Sequence, residues 1–452
     1  MYQWMSSVRR RLAVLGVGVL AVALACTTPA QAAAGVPGPG WVDTWGTAPT
    51  GAALPPQPGT VFDNQTLRQI VHTSVAGRSV RVRLSNEFGT QPLVVGEAHV
   101  ARRGAGASGT EIASGSDRLL TFGGRSSVTI PPGVPALSDP VALVVPALSD
   151  LAVSIYLPQR TPATTLHTSA FQRSYLAAGN VTGASSLTTA SVTTSWYFLT
   201  GVSVAASARG ASIVAFGDSI TDGGLTTMDA NHRWPDFLAC RLQARPDFRQ
   251  LGVLNKSISG NRLLHDGPVL SGTPFDGIGP LLGSSGLARF DRDVLAQPGV
   301  RYVVVLLGIN DIGQPGAGVM PLEEEVTAAE MIAGYRQLIA RAHEHGLRVY
   351  GATMTPFEGT TFLPGYYTAA KEAKRHAVNQ WIRTSGEWDA VIDFDRAVGD
   401  PEHPLRLLPQ YDSGDHIHIN DAGMRAMADA VPLPLFRQGA GDSPRAALPA
   451  AS

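Results

Sequence analysis

Four short segments of this chain carry residue types that together can perform acyl transfer. They read Gly217-Asp218-Ser219-Ile220-Thr221, Ser259-Gly260-Asn261, Gly308-Ile309-Asn310-Asp311 and Asp412-Ser413-Gly414-Asp415-His416-Ile417-His418-Ile419-Asn420. Acyl transfer needs a nucleophile, a base, a group that orients the base, and donors for a developing oxyanion. Ser219 can supply the nucleophilic oxygen and His418 can take its proton. Asp415, three residues before His418, can accept the other imidazole N–H and fix the tautomer. The backbone N–H groups of Ser219 and Gly260 and the side-chain amide of Asn310 can face the negative charge. Glycine suits position 260 because no Cβ obstructs a close backbone approach. Asp218 is expected to brace its loop by hydrogen bonds, and Asn420 to cap the helix after it.

Each tripeptide alone is an ordinary turn; the weight lies in where the four fall along the chain. From residue 208 strands and helices alternate. Ile213–Phe216, Leu251–Ser257, Tyr302–Leu307, Arg348–Thr353 and Ala390–Ile392 read as strands. Trp234–Leu242, Glu323–His345, Ala369–Arg383 and Asp421–Ala430 read as helices. Repeated βαβ units imply a doubly wound parallel sheet in three α/β/α layers. Ligands of such sheets bind beyond the carboxyl ends of the strands, which is where the first three segments lie.

The order Gly-Asp-Ser, then Gly, then Gly-x-Asn-Asp, then Asp-x-x-His resembles the four sequence blocks of the SGNH (GDSL) hydrolase family. The resemblance covers roughly residues 211–431. It implies a catalytic triad of Ser219, Asp415 and His418, an oxyanion hole of Ser219, Gly260 and Asn310, and activity on lipids, acylated sugars or other esters. Two departures stand out. A Gly/Pro-rich connection over 262–301 is expected to cap or narrow the site, and Ile419 follows His418 where the family often has proline. Trp41-Val42-Asp43-Thr44-Trp45 is similar to the β-rich extension of secreted bacterial members whose relatives deacylate plant polysaccharides.

Ahead of this region, 61–207 reads as an antiparallel β-sandwich. Val80, Val82 and Leu84 alternate with Arg81 and Arg83, and Leu151, Val153, Ile155 and Leu157 alternate likewise, a period of two that marks half-buried strands. Ala76-Gly77-Arg78 reads as a hairpin turn. The Gly/Pro-rich stretch 33–60 is expected to wrap the surface as an N-terminal extension, and the Trp and Tyr residues to be core more than a sugar-binding face.

Residues 1–32 read as a secretory signal peptide. Arg9, Arg10 and Arg11 precede the apolar run Leu12–Ala25, and Ala30-Gln31-Ala32 offers a cleavage site near Ala32. Adjacent arginines also permit twin-arginine export, and Cys26 a lipoprotein, although Ala23 fits a lipoprotein poorly. Cleavage takes the 35 basic residues to 32 against 36 acidic ones, a balance that does not suggest a nucleic-acid binder. It also leaves Cys240 alone, so no intrachain disulfide can form; Cys240 is expected to pack in the core. No later stretch is long and apolar enough to span a membrane. The tail 438–452 reads as disordered.

The expected protein is a secreted, monomeric serine ester hydrolase without cofactor. Its substrate would be an ester, an acylated polysaccharide or a lipid. Acyl transfer by the same triad, or a carbohydrate-binding protein with an inactive hydrolase half, are the competing functions. His416 and His418 beside Asp412 and Asp415 form a cluster that can bind metal, but the triad accounts for His418 without one, so no metal is expected.

Overall fold

Five strands with unbroken apolar runs form a parallel sheet. The order across it is Leu251–Asn255, Ala211–Gly217, Val300–Leu306, Arg348–Ala352, Ala390–Ile392. Ala211–Gly217 is buried along its whole length because helices cover both faces of the sheet. The first strand in sequence lies second in space, with the second and third strands on either side of it. That reversal makes the crevice above Ala211–Gly217 the place where a doubly wound fold binds ligands. The computed structural model describes residues 40–106, 108–188, 191–207 and 209–437. The signal peptide expected over 1–32, with its cleavage site, and the tail 438–452 lie outside the described residues.

The N-terminal region is antiparallel and β-rich. One sheet runs Gly40–Gly46, Leu199–Ala206, Gly77–Ser85 and Pro135–Leu137, with Val141–Val145 also paired to Gly77–Ser85. The other runs Ser191–Thr193, Ser174–Ala178, Gln65–His72, Asp150–Leu157, Glu97–Arg102 and Arg118–Leu119. Val80, Val82, Leu84 and Val204 from the first sheet share one core with Leu67, Val71, Val153 and Ile155 from the second, so the two form a sandwich. Trp45, Trp196 and Tyr197 are in that core.

The structure departs from the sequence-based expectations at four places. Of the surface wrap expected over 33–60, residues 33–39 lie outside the described residues, Gly40–Gly46 is instead a strand buried from Val42 on and paired with Leu199–Ala206, and the chain returns to the surface at residues 54–60. Ala76-Gly77-Arg78 is not a hairpin: Gln65–His72 and Gly77–Ser85 lie in different sheets, so the chain there crosses the sandwich. The helix expected over Glu323–His345 is split into a short 3₁₀ turn, Leu322–Glu324, and the helix Ala328–Glu344. The break falls where Thr327 and Glu330 form a capping box, Thr327 accepting from Glu330 N–H and the Glu330 carboxylate accepting from Thr327 N–H. Cys240 is exposed rather than packed, because it falls on the outer face of helix Trp234–Gln243, whose Phe237, Leu238 and Leu242 turn inward.

The described residues form one compact unit. The two regions are joined by specific polar contacts. Val253 N–H on the edge strand of the parallel sheet donates to Ser74 Oγ at 2.9 Å. Lys256 buries its ammonium against the carbonyls of Thr47 (2.8 Å) and Thr200 (3.2 Å).

Candidate active site

Ala211–Gly217 ends at Asp218, whose backbone stays extended while its Oδ1 accepts Ile220 N–H at 3.1 Å. That bond caps the one-turn helix Ser219–Asp222 and makes Ser219 its first residue. Its Oγ lies 2.9 Å from His418 Nε2. Gly224 makes room for the imidazole, since a Cβ there would stand 2.9 Å from His418 Cδ2.

His418 sits at the end of a loop folded back on itself, with Asp412 bridged to Ile419 and Ser413 N–H donating to His418 O. The three-residue step from Asp415 lets one carboxylate oxygen accept His418 N–H at 2.8 Å while the other reaches Nδ1 at 2.5 Å. A carboxylate only accepts, so Nδ1 carries the proton and Nε2 is free to accept from Ser219. Burial would raise the Asp415 carboxyl. Bonds from the His418 ring and from the N–H groups of His418 and Ile417 outweigh it and hold the group well below the usual carboxylate range. The ring of Phe362, half exposed, stands edge-on to His418 at 5.9 Å. His416 is exposed, bonds Asp412 through Nδ1, and takes a left-handed backbone with φ 61.

The three donors expected from the sequence lie at separate chain turns and a helix start. Ser219 N–H is at a helix start, where no intrahelical acceptor exists. Gly260 adopts φ 80, and a Cβ there would lie 2.6 Å from Leu282 Cδ2. Leu282 belongs to the 262–301 connection, which thus packs directly on the Gly260 turn. Asn310, buried on helix Ile309–Gly313, has its amide fixed three ways. Nδ2 donates to Asn261 O at 3.0 Å, while Oδ1 accepts from Gln314 Nε2 (3.1 Å) and Tyr366 Oη (2.8 Å). Among the described residues Asn261 O is the one acceptor of Nδ2.

A buried scaffold underlies these groups. Arg289 is fully buried and donates to Gly217 O (2.9 Å), Lys256 O (2.6 Å) and Asn261 Oδ1 (2.9 Å). Asp311 accepts Leu263 N–H (2.6 Å) and Leu264 N–H (2.9 Å), which pins the chain just past Asn261. Burial pushes the Asp218 carboxyl up to about 7, against the opposing pull of the Ile220 N–H bond and His418, and pushes Asp311 up to about 6. Asp218 therefore braces its turn, and Asn420 caps helix Asp421–Ala430 by accepting from Ala422 and Gly423 N–H.

The structure thus brings Ser219, Asp415 and His418 together and links the Asn310 helix to the Gly260-Asn261 turn through Asn310 and Gln314. Tyr366, Gln314 and Arg289 were not legible as site residues. Tyr366 and Arg289 touch motif residues from elements with no motif of their own, and Gln314 caps the C-terminus of the helix that carries Asn310. Among the described residues no group of three or more His, Cys, Asp or Glu side chains is placed to hold a metal ion.

Residues 215–426 match the model of the GDSL-like Lipase/Acylhydrolase family. No curated protein matches the chain. Solved structures similar to it include the acetylxylan esterase Axe2 from Geobacillus stearothermophilus, at 23% identity and a TM-score of 0.35, covering 49% of this chain and 93% of that one. An alpha/beta hydrolase from the metagenome of Lake Arreo, Spain, is 23% identical with a TM-score of 0.34 over the same shares. A GDSL-like lipase from Bacteroides thetaiotaomicron is 18% identical with a TM-score of 0.35, covering 48% of this chain and 84% of that one.

Proposed function

From the premise that this chain carries a GDSL-like lipase/acylhydrolase domain and is a carboxylic ester hydrolase, we propose that it works through a Ser219–His418–Asp415 triad and an acyl-enzyme. Ser219 Oγ attacks the ester carbonyl carbon while His418 Nε2 takes its proton. Asp415 holds the ring by Nδ1 and stabilises the imidazolium that forms. Negative charge on the carbonyl oxygen meets the N–H groups of Ser219 and Gly260 and the Asn310 side-chain amide. The tetrahedral adduct collapses, His418 returns the proton to the departing alkoxide, and the acyl group stays on Ser219. Water, deprotonated by the same ring, then releases the acid. The observation that carries this reading is the chain of contacts from Ser219 Oγ to His418 (2.9 Å) and on to Asp415 (2.5 Å).

We further propose that the protein is exported, that residues 61–207 and 208–437 act as accessory and hydrolase domains, and that acetyl esters of an extracellular polysaccharide are its substrates. The leader-like first 32 residues support export. A cleft of about 390 Å³ between the two regions, lined by Leu54, Pro55 and Phe88 on one side and Pro268, Val269 and Gly283 on the other, adjoins the Leu282 segment that packs on Gly260. It offers room for the bulky alcohol side of such an ester. p-Nitrophenyl esters of rising acyl length, assayed beside acetylated xylan, test the substrate. Preference for acetyl esters and release of acetate from xylan support the proposal; preference for long acyl chains overturns it in favour of lipid.

A further inference from the structure

The β-rich region sends one imidazole into the catalytic half. His167 ends the strand Thr165–His167, is buried, and stacks on Trp196 at 5.6 Å. Its Nδ1 lies 3.0 Å from Ala48 O and its Nε2 lies 3.0 Å from Asp222 Oδ1, so both ring nitrogens face oxygens. Asp222 is equally buried and is the last residue of the helix that Ser219 begins. Its other oxygen, Oδ2, accepts both the N–H (3.0 Å) and the Oγ–H (2.8 Å) of Ser259. Ser259 immediately precedes Gly260.

These contacts form a continuous path from a β-sandwich strand to the oxyanion turn. Asp222 ties the nucleophile helix to the Ser259-Gly260 turn, and so governs the separation of the two backbone donors that must meet one oxygen. A carboxylate with two rotatable bonds holds that separation only if its own oxygens are fixed, and His167 fixes the one that Ser259 does not. Arg233, which donates to Asp222 O at 2.7 Å and also to Ala170 O, clamps the same helix end to the β-rich region.

We propose that His167 is a positioning residue for the oxyanion hole, acting through Asp222 and Ser259 on Gly260. The β-rich region is then a working part of the hydrolytic site. The inference rests on the Ser219 triad and oxyanion hole proposed above. Displacement of a catalytic group by about 1 Å can cost about a hundredfold in rate. The effect falls on kcat because the hole acts on charge that develops in the transition state.

The test uses the full chain with p-nitrophenyl acetate and the variants His167→Leu, His167→Gln, Ser259→Ala and the pair His167→Leu/Ser259→Ala, with Ser219→Ala alongside. His167→Leu should lower kcat by about tenfold to a hundredfold with KM changed much less. His167→Gln places an amide donor where Nε2 stands and should restore most of the loss. The double variant should be no slower than the slower single one, because both substitutions break one path. Folded His167→Leu enzyme with wild-type kcat, or fully additive losses, would overturn the proposal. If His167→Leu does not fold, Ser259→Ala decides alone, and an unchanged kcat there counts against it. Ser219→Ala separates the two levels: an active Ser219→Ala overturns the triad itself, whereas an inactive one beside a normal His167→Leu overturns only the role of His167.

Discussion

The two regions of the molecule hold their polar side chains in opposite ways. In the α/β region Ser219 and Asn310 sit just past the ends of parallel strands, two residues beyond Gly217 and four beyond Leu306, and His418 lies in the loop before helix Asp421–Ala430. In the β-rich region the polar groups that matter lie inside, and several reach across to the other half. His167 meets Asp222, Ser74 meets Val253 N–H, and the carbonyls of Thr47 and Thr200 receive Lys256. On the proposal made above, one region presents chemistry on turns and the other holds those turns still. A buried donor left without its partner is costly, so the contacts between the regions constrain where the site residues can stand.

The largest effects should come from the α/β turns. Ser219→Ala should lower kcat by about 10⁴-fold or more, because the triad acts as a unit. His418→Ala should approach that loss, whereas His416→Ala should cost far less, since His416 bonds Asp412 and not Ser219. Steady-state kinetics of the two histidine variants with and without EDTA decide this. Equal collapse of both, or activity abolished by the chelator, would replace the triad with a metal site.

Asn310→Ala should cost about 10²–10³-fold in kcat with KM changed much less, and circular dichroism should show the fold retained. A raised KM at unchanged kcat would make Asn310 a substrate-binding residue and leave the oxyanion hole to backbone donors alone.

How much of this was legible follows the same division. The apolar runs Ile213–Phe216 and Tyr302–Leu307 announced buried parallel strands, and the three segments around Ser219, Gly260 and Asn310 stand within a few residues of strand ends. Local sequence carried that information because strand, turn and reactive residue are contiguous. The β-rich region hid its organisation, since its strands pair with distant partners. Gly40–Gly46 lies beside Leu199–Ala206, some 160 residues on in the case of Asp43 and Ser203, and a Gly/Pro-rich context disguised it. Crossing between sheets at Gly77 looks locally like a hairpin. His167 and Asp222, 55 residues apart, carry no pattern that links them. The Thr327–Glu330 capping box, by contrast, was written in the sequence and marked the helix start that a long amphipathic period obscured.

The smallest effect concerns buried carboxyls. Asp218 is raised to about 7 and Asp311 to about 6, both by burial, from an ordinary value of 3.8. Across that window the folded state holds protons that the unfolded chain has released, so stability falls as pH rises from about 4 to 7. Asp415 is depressed instead; its contribution is complete above the ordinary carboxylate range and is lost only as pH falls below it. Between pH 5 and 8 the melting temperature should therefore decline, and Asp218→Asn should flatten the decline by on the order of 2–4 °C. An identical slope in wild type and variant would remove Asp218 from the account.

The central claim is that Ser219 forms the covalent acyl-enzyme. An organophosphorus ester that phosphorylates activated serines, followed by peptide mass spectrometry, tests it most directly. The expected result is one adduct, on the peptide containing Ser219, formed in step with loss of esterase activity and absent when His418→Ala is treated alike. An adduct on another residue that tracks inactivation, or complete inactivation with Ser219 unmodified, would contradict it.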